Sequence, residues 1–323
     1  MFSARSIPVS DRRLGVVVGP DWSRAGSSKL RALYRRAQDE HWQPENDVDW
    51  PATIHFGRTV PVRSLLEAQA TVLEPFASHG SDLWSQFRWE LQAWLVCQSY
   101  HGEQAALSGA ACLTAVLTDS DARLAAAAQV ADEARHVLAF QLYISRYLQR
   151  PYGLAPSLNR VLQQALADAD WSYSLLGMQV MVEGLADAVF RMGEHTFMDP
   201  VIRSVLRRVA ADEARHVAFG TMLLREHCRE DCEAEVRRRE DFILTMAQSI
   251  SQRFLLEDLW ERLDVDADSG RRFAQEAPLM LEFRRLAFSK VVSILRVIGL
   301  LTPAVIDGLC KLGLARRDTG ADT

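Results

Sequence analysis

The sequence predicts an all-α protein built on a four-helix bundle, and three observations lead there. No segment sustains the period-two alternation of a strand, while apolar residues recur at helical spacing through most of the chain. The phrase Ala131-Asp132-Glu133-Ala134-Arg135-His136-Val137 returns 80 residues later as Ala211-Asp212-Glu213-Ala214-Arg215-His216-Val217. In each copy Glu and His stand three apart, so a helix shows both on one side. Two Glu-x-x-His helices, with a carboxylate from each of two further helices, form the arrangement that holds a metal pair inside a bundle.

The further carboxylates lie at equal distances. Glu103 precedes Glu133 by 30 residues, and Glu183 precedes Glu213 by 30. A straight helix of that length would separate the groups by about 45 Å, so the chain must turn back midway. The midpoints fall at Thr118-Asp119-Ser120-Asp121 and just before Asp199-Pro200. Both are helix starts, with a capping Asp or Ser and, in the second, a Pro suited to the first helical position. Two hairpins creased there bring four Glu and two His to one centre. Glu90 competes with Glu103, but its midpoint with Glu133 falls in Ala110-Ala111-Cys112-Leu113, where nothing turns the chain. One Asp-Glu-x-Arg-His stretch alone would read as a solvated face. Two copies in otherwise apolar segments do not, because buried charge is costly unless paired or metal-bound.

The elements follow in order. Residues 1–26 read as an extended arm and Ser27 to His41 as a first helix. Trp42 to Pro51 is turn-rich, and its two tryptophans pin the arm to the bundle surface. Pro61 to Ser78 reads as an amphipathic helix through Leu65, Leu66, Ala68, Val72, Leu73 and Phe76. His79-Gly80-Ser81-Asp82 ends it and caps a long helix that passes Glu103 toward Leu117. The first Glu-x-x-His helix spans Asp121 to Gln149, and Arg150-Pro151-Tyr152-Gly153 breaks it. Residues 155–195 hold one or two helices, with Glu183 on the second, and the other Glu-x-x-His helix spans Asp199 to Cys228. Glu230 to Arg239 alternates acid and base like a solvated helix face. Ile243 to Leu263 is amphipathic, Asp264 to Gly270 a loop, and Phe273 to Leu301 a helix. Thr302-Pro303 opens a last short helix, and Arg316 to Thr323 is a loose tail. We divide this single domain into an N-terminal arm and helix (1–57), a bundle core (58–230) and C-terminal helices packed on the bundle (231–323).

The motif pattern over residues 80–228 resembles the ferritin-like di-iron carboxylate superfamily, as a bundle with additional flanking helices. Its Asp-Glu-x-Arg-His form is similar to the oxygen-activating branch: monooxygenase hydroxylase subunits, di-iron N-oxygenases and ribonucleotide reductase small subunits. The resemblance implies that Glu103, Glu133, His136, Glu183, Glu213 and His216 hold two iron ions, or a manganese–iron pair. It implies that Asp132 and Asp212 orient ligand histidines through the second ring nitrogen, with Arg135 and Arg215 balancing charge. Asp187, one turn past Glu183, is a candidate outer acid. The function implied is dioxygen activation to hydroxylate, N-oxygenate or oxidatively cleave a small organic substrate. Two electrons would come from an external reductase or ferredoxin, because no nicotinamide or flavin signature is present, and a homodimer is expected. Two departures matter. Some N-oxygenases carry another His one turn before the second Glu-x-x-His, where this chain has Val209. Most ribonucleotide reductase small subunits have a Tyr seven residues after the first motif Glu, where this chain has Phe140. A reductase-like radical or ligand-binding oxidase and a non-catalytic metal-binding bundle are the alternatives.

Small residues beside the ligands, Ala106 and Ala110 among them, leave room for a cavity. Phe140, Met178, Phe190 and Phe219 are candidates to line it. An apolar cavity favours an aromatic, aliphatic or amine substrate. The remaining histidines, His41, His55, His79, His101, His195 and His227, lack partners at ligand spacing and read as structural. A net charge of −5 makes no case for nucleic acid, and no apolar run reaches the roughly 18 residues of a membrane helix. The five cysteines form neither a disulfide framework nor zinc spacing. A reduced, cytoplasmic protein is expected.

Overall fold

Two long helical hairpins organise the molecule. The computed structural model describes residues 27–51 and 53–317. Helix α1 (Ser28–Asp39), the single turn α2 (Pro44–Asp47) and α3 (Leu65–Thr71) lead to α4 (Phe76–Val116), which folds back on α5 (Ser120–Tyr147). After α6 (Pro156–Leu166) and α7 (Trp171–Leu175) comes a π-helical segment, Leu176–Val182, which runs straight into α8 (Glu183–Thr196). Helix α8 folds back on α9 (Pro200–His227), and α5 meets α9 between the two hairpins. Then α10 (Glu233–Arg253), α11 (Glu257–Arg262), α12 (Ala267–Glu276), α13 (Pro278–Ile298) and α14 (Pro303–Lys311) complete the chain. Helix α13 lies along α8, α10 along α6, and α1 covers α5. The described residues contain no strand.

The creases lie where capping chemistry places them. Asp119 Oδ1 accepts from the Ala122 amide at 2.8 Å, and Asp199 Oδ1 from the Ile202 amide at 2.8 Å, with Pro200 at the first helical position. Each cap satisfies an N–H that a helix start leaves without an intrahelical partner.

Four expectations need correction. The helix expected over 61–78 forms only as Leu65–Thr71, because Pro75 has no N–H to continue the ladder, and a new helix starts at Phe76. Gly80 interrupts α4 with φ 74°, in the left-handed region. The loop expected at 264–270 is largely the start of α12, where Asp266 Oδ1 caps the Ser269 amide at 2.9 Å. Pro278 splits the helix expected from 273 to 301, since the residue before a proline is forced to extended backbone and Ala277 has ψ 131°. The face expected to be solvated at 230–239 contains the buried Arg239, paired with Asp231 at 2.7 Å and bonded to Ser172 Oγ at 3.1 Å. The arm at 1–26 and residues 318–323 of the tail lie outside the described residues.

Candidate metal centre

The hairpins bring Glu103 from α4, Glu133 and His136 from α5, Glu183 at the start of α8, and Glu213 and His216 from α9 into one buried cluster. It divides into two overlapping sets. Glu103, Glu133, His136 and Glu213 form one, and Glu133, Glu183, Glu213 and His216 the other, each with its ligand-type atoms within 4.8 Å of one another. Glu133 and Glu213 belong to both, and the distances show how. His136 Nδ1 lies 3.3 Å from Glu133 Oε2, 3.3 Å from Glu213 Oε1 and 3.4 Å from Glu103 Oε2. His216 Nδ1 lies 3.1 Å from Glu133 Oε1 and 3.4 Å from Glu213 Oε2. Each shared carboxylate thus turns one oxygen to each histidine, the disposition of a bridge between two ions.

Each histidine is fixed from behind by the acid of the other motif. Asp212 Oδ2 lies 3.0 Å from His136 Nε2, and Asp132 Oδ2 lies 3.1 Å from His216 Nε2. With Nε2–H donating to the acid, Nδ1 is the free ligand atom. The arginines face these aspartates. Arg135 bonds Asp132, and Arg215 reaches Asp212 at 2.5 Å and Asp132 at 3.1 Å. Two acids and two guanidinium groups therefore balance among themselves and leave four glutamates for an added cationic charge.

The electrostatics show that demand. Burial, joined by the charge of Glu213, raises Glu103 and Glu183 well above the usual carboxylate range. Burial opposes charge on Glu133 too, but His216 and His136 outweigh it and hold it well below. On the histidines burial disfavours protonation. The bond to Asp212 and the neighbouring glutamates overcome it at His136, as the charges of Glu133 and Glu213 do at His216, and both rings stand well above the ordinary value. Four buried carboxylates draw positive charge into the site. Glu183 Oε2, both Glu213 oxygens and His216 Nδ1 are buried with no hydrogen bond. Orphaned atoms of ligand type at one buried point are costly unless a cation meets them, and four carboxylates with two imidazoles suit an iron or manganese pair. The donor set fits a dinuclear metal cofactor.

A cavity of 330 Å³ reaches this cluster, with Glu103, Glu183 and Glu213 in its wall. Most of the rest is apolar: Leu91, Trp94, Leu95, Leu185, Val189, Phe190, Ile250, Phe254 and Phe283. Of the six pocket residues expected from sequence, Ala106 and Phe190 line it. Ala110, Phe140, Met178 and Phe219 do not; all four are buried, with Met178 and Phe219 in the main core and Phe140 in a second one. Small and aromatic residues near a ligand signal packing as readily as a pocket. Asp187 is buried and pairs with Arg191 at 2.7 Å and Lys290 at 3.6 Å, and it joins neither set of ligand-type atoms. Glu90 bonds Tyr152 at 2.6 Å and joins neither cluster, and none of the other six histidines does either. His41 does lie behind the site, its Nδ1 3.0 Å from Arg135.

Sequence reasoning missed three neighbours. Gln129 donates to Glu133 and Glu183; it stands one turn before Glu133, a signal that was available. Trp42 is buried beneath the motif helices, its Nε1 donating to Asp212 at 2.8 Å, a contact across 170 residues that no local pattern announces. Arg253 reaches the cavity from α10, far from any motif.

Fold and site together define a ferritin-like protein of the dinuclear carboxylate class. A family model described as p-aminobenzoate N-oxygenase AurF matches residues 112–299, more than half of the chain. The protein belongs to that family, and it is a di-iron oxidoreductase of the oxygenase or oxidase kind. Among solved structures, a mutant R2-like ligand-binding oxidase with an aerobically reconstituted Mn/Fe cofactor aligns with TM-score 0.56 and 15% identity, over 87% of this chain and 95% of its own. Another mutant R2-like ligand-binding oxidase, anaerobically reconstituted with Mn/Fe, gives TM-score 0.57 and 16% identity over 87% and 95%. A putative class I ribonucleotide reductase from Bacillus halodurans gives TM-score 0.52 and 11% identity over 88% and 100%. At these identities the likeness is one of fold. No curated protein matches the chain. No described helix is long and apolar enough to cross a membrane.

Proposed function

We propose that the chain is an O2-dependent, monooxygenase-type enzyme that oxidises a small organic acid with an apolar body, with N-oxygenation of an amine the reaction to test first. Glu103, Glu133, His136, Glu183, Glu213 and His216 would hold the metal pair, with Glu133 and Glu213 common to both positions. When bound and reduced, an iron pair supplies the electrons that activate dioxygen. The chain's own residues do the rest. Asp132 and Asp212 would keep the ligand nitrogens in place, held ionised by the histidines they bond and, after those, by Arg135 and Arg215. The apolar wall excludes water and holds the substrate against the face formed by Glu103, Glu183 and Glu213.

The single observation that carries the reading is that these three candidate ligands stand in the wall of a mostly apolar cavity. Arg253 supports the substrate class. It lines that cavity, no carboxylate lies within ion-pair distance of it among the described residues, and its buried Nε has no hydrogen bond. Burial lowers it to about 10, so it stays cationic at neutral pH. A substrate carboxylate would complete it, and the matched family's name concerns an aminobenzoate. We further read residues 58–230 as the bundle core with 1–57 and 231–323 packed on it, in a cytoplasmic homodimer served by a reductase or ferredoxin.

The test is reconstitution with iron, chemical reduction without air, then oxygen addition while Mössbauer spectra are followed and amino acids of the aryl type are screened by mass for added oxygen. Two irons per chain and oxygen-derived product are expected. A loaded, reduced protein that consumes no oxygen contradicts the proposal. For the acid class, Arg253→Met should raise KM for acids and leave it unchanged for neutral analogues.

A further inference from the structure

Gln129 is buried, and its side-chain amide stands between two carboxylates from different helices. Nε2 lies 3.1 Å from Glu133 Oε1 on its own helix and 3.0 Å from Glu183 Oε1 at the start of α8. An amide nitrogen carries two hydrogens and a carboxylate can only accept, so one group serves both acids. Behind it, Gln179 Nε2 donates to Gln129 Oε1 at 3.5 Å. Gln179 belongs to the π-helical segment, and it fits there because α9 has Gly220 opposite: a Cβ at 220 would stand 2.6 Å from Gln179 Cβ. Gly220, Gln179 and Gln129 thus form one line of contacts ending on two candidate metal ligands. The other hairpin has no counterpart. Eighty residues on from Gln129 is Val209, which has no side-chain donor.

The consequence falls on Glu183. Its Oε1 is taken by Gln129, and its Oε2 is buried with no hydrogen bond. Among the described residues Glu103, its counterpart on α4, receives no side-chain amide and has one side-chain hydrogen bond, to His136 at 3.4 Å; it is the other end carboxylate in the cavity wall. One end ligand is held by a side-chain amide, and the other is not.

We propose that Gln129, braced by Gln179, is a positioning residue of the metal centre: by tying Glu183 Oε1 to Glu133 Oε1 through one amide it fixes the orientation of that end ligand, a tie which Glu103 lacks, and makes the two metal positions unequal. The position built from Glu133, Glu183, Glu213 and His216 is the rigid, tighter one. The position served by Glu103 carries the carboxylate movement. A neutral amide does this without disturbing the charge balance, which a carboxylate or a cation at 129 would. This inference rests on the six-ligand reading above.

The experiment is a Co(II) titration of the metal-free protein against a chelating indicator, with the visible Co(II) spectrum recorded at each addition. The wild type should bind two ions with separated affinities. Gln129→Leu, similar in volume but without donors, should weaken the tighter step about 10- to 100-fold, the usual effect of losing a bond behind a ligand, with a changed Co(II) band and the weaker step little altered. Gln179→Leu should move the same step in the same direction by less. If Gln129→Leu fails to fold, Gln129→Met carries the same expectation. Two unchanged affinities and an unchanged spectrum in a folded variant would overturn the role of Gln129. A wild type that binds fewer than two ions would instead overturn the metal centre itself, so the two failures are told apart.

Discussion

The hairpin α4–α5 and the hairpin α8–α9 carry the same ligands at the same spacing in different surroundings. The first turns at Asp119, an exposed cap. The second turns at Asp199, which is buried and whose Oδ2 also accepts from Gln92 at 2.5 Å and Tyr143 at 2.7 Å. The first delivers its end carboxylate from the middle of a long α-helix, the second from the end of a π-helical turn. Duplication of a ligand phrase therefore sets where donor atoms meet and leaves open what holds them. Metal chemistry asks for near symmetry at the ions, while a substrate on one side and a rigid anchor on the other ask for the opposite.

The largest effect should separate shared ligands from end ligands. Glu133 and Glu213 serve both clusters, Glu103 and Glu183 one each. Glu133→Ala or Glu213→Ala should remove both ions, and Glu103→Ala or Glu183→Ala only one, read as metal per chain after desalting. The same stoichiometry in all four variants would defeat the bridging assignment.

The two creases should differ next. Asp119→Ala loses an exposed cap, about 1 kcal/mol. Asp199→Ala loses a cap and also strands the buried Tyr143 hydroxyl proton, worth about 1–3 kcal/mol when left without an acceptor, while Gln92 Nε2 keeps Tyr143 Oη at 3.0 Å. A total on the order of 3 kcal/mol follows, measured by urea unfolding of the metal-free protein. Equal losses at the two positions would mean that the second crease is no better anchored than the first.

A smaller contrast lies in helix packing. At Gly177 in the π-helical turn a Cβ would stand 2.7 Å from the Ala165 backbone, whereas at Gly109 on α4 it would meet only side chains, the tip of Leu166 at 3.1 Å and Met178 at 3.6 Å. Gly177→Ala should cost about 1–3 kcal/mol, because backbone cannot give way, and Gly109→Ala less than that, because a leucine tip can. The same unfolding curves decide it, and an Ala at 177 tolerated as well as at 109 would show the turn to be free to shift.

What was legible in the sequence follows the same division. Repeated motif, equal spacing and capping residues are local signals, and they located the hairpins, both creases and the six clustered side chains. The π-helical turn was not legible, since it depends on how closely Ala165 approaches Gly177. Nor were Trp42 and Arg253, each brought to the site by packing between distant segments. The pocket residues failed for a related reason. Phe140 and Phe219 are apolar and near the motifs, but which side of a helix faces a void is set by neighbours such as α10 and α13, which carry no motif.

The smallest expected effect separates burial from ionisation on the two hairpins. Cys97 on α4 is buried and Cys228 after α9 is partly exposed, yet burial pushes both thiols up to about 11. Only thiolate is alkylated, and a raised value means that little thiolate exists at neutral pH. At pH 7.5 iodoacetamide should therefore label the exposed Cys112 and Cys232 first. As pH rises toward 11, Cys228 should begin to react while Cys97, with its sulfur under the Tyr152 amide at 3.4 Å, stays protected until the bundle opens. Mass spectrometry of the labelled peptides reads both stages. If Cys97 and Cys228 gain label together, thiolate supply alone limits them, and the first hairpin is no more closed at that point than the second.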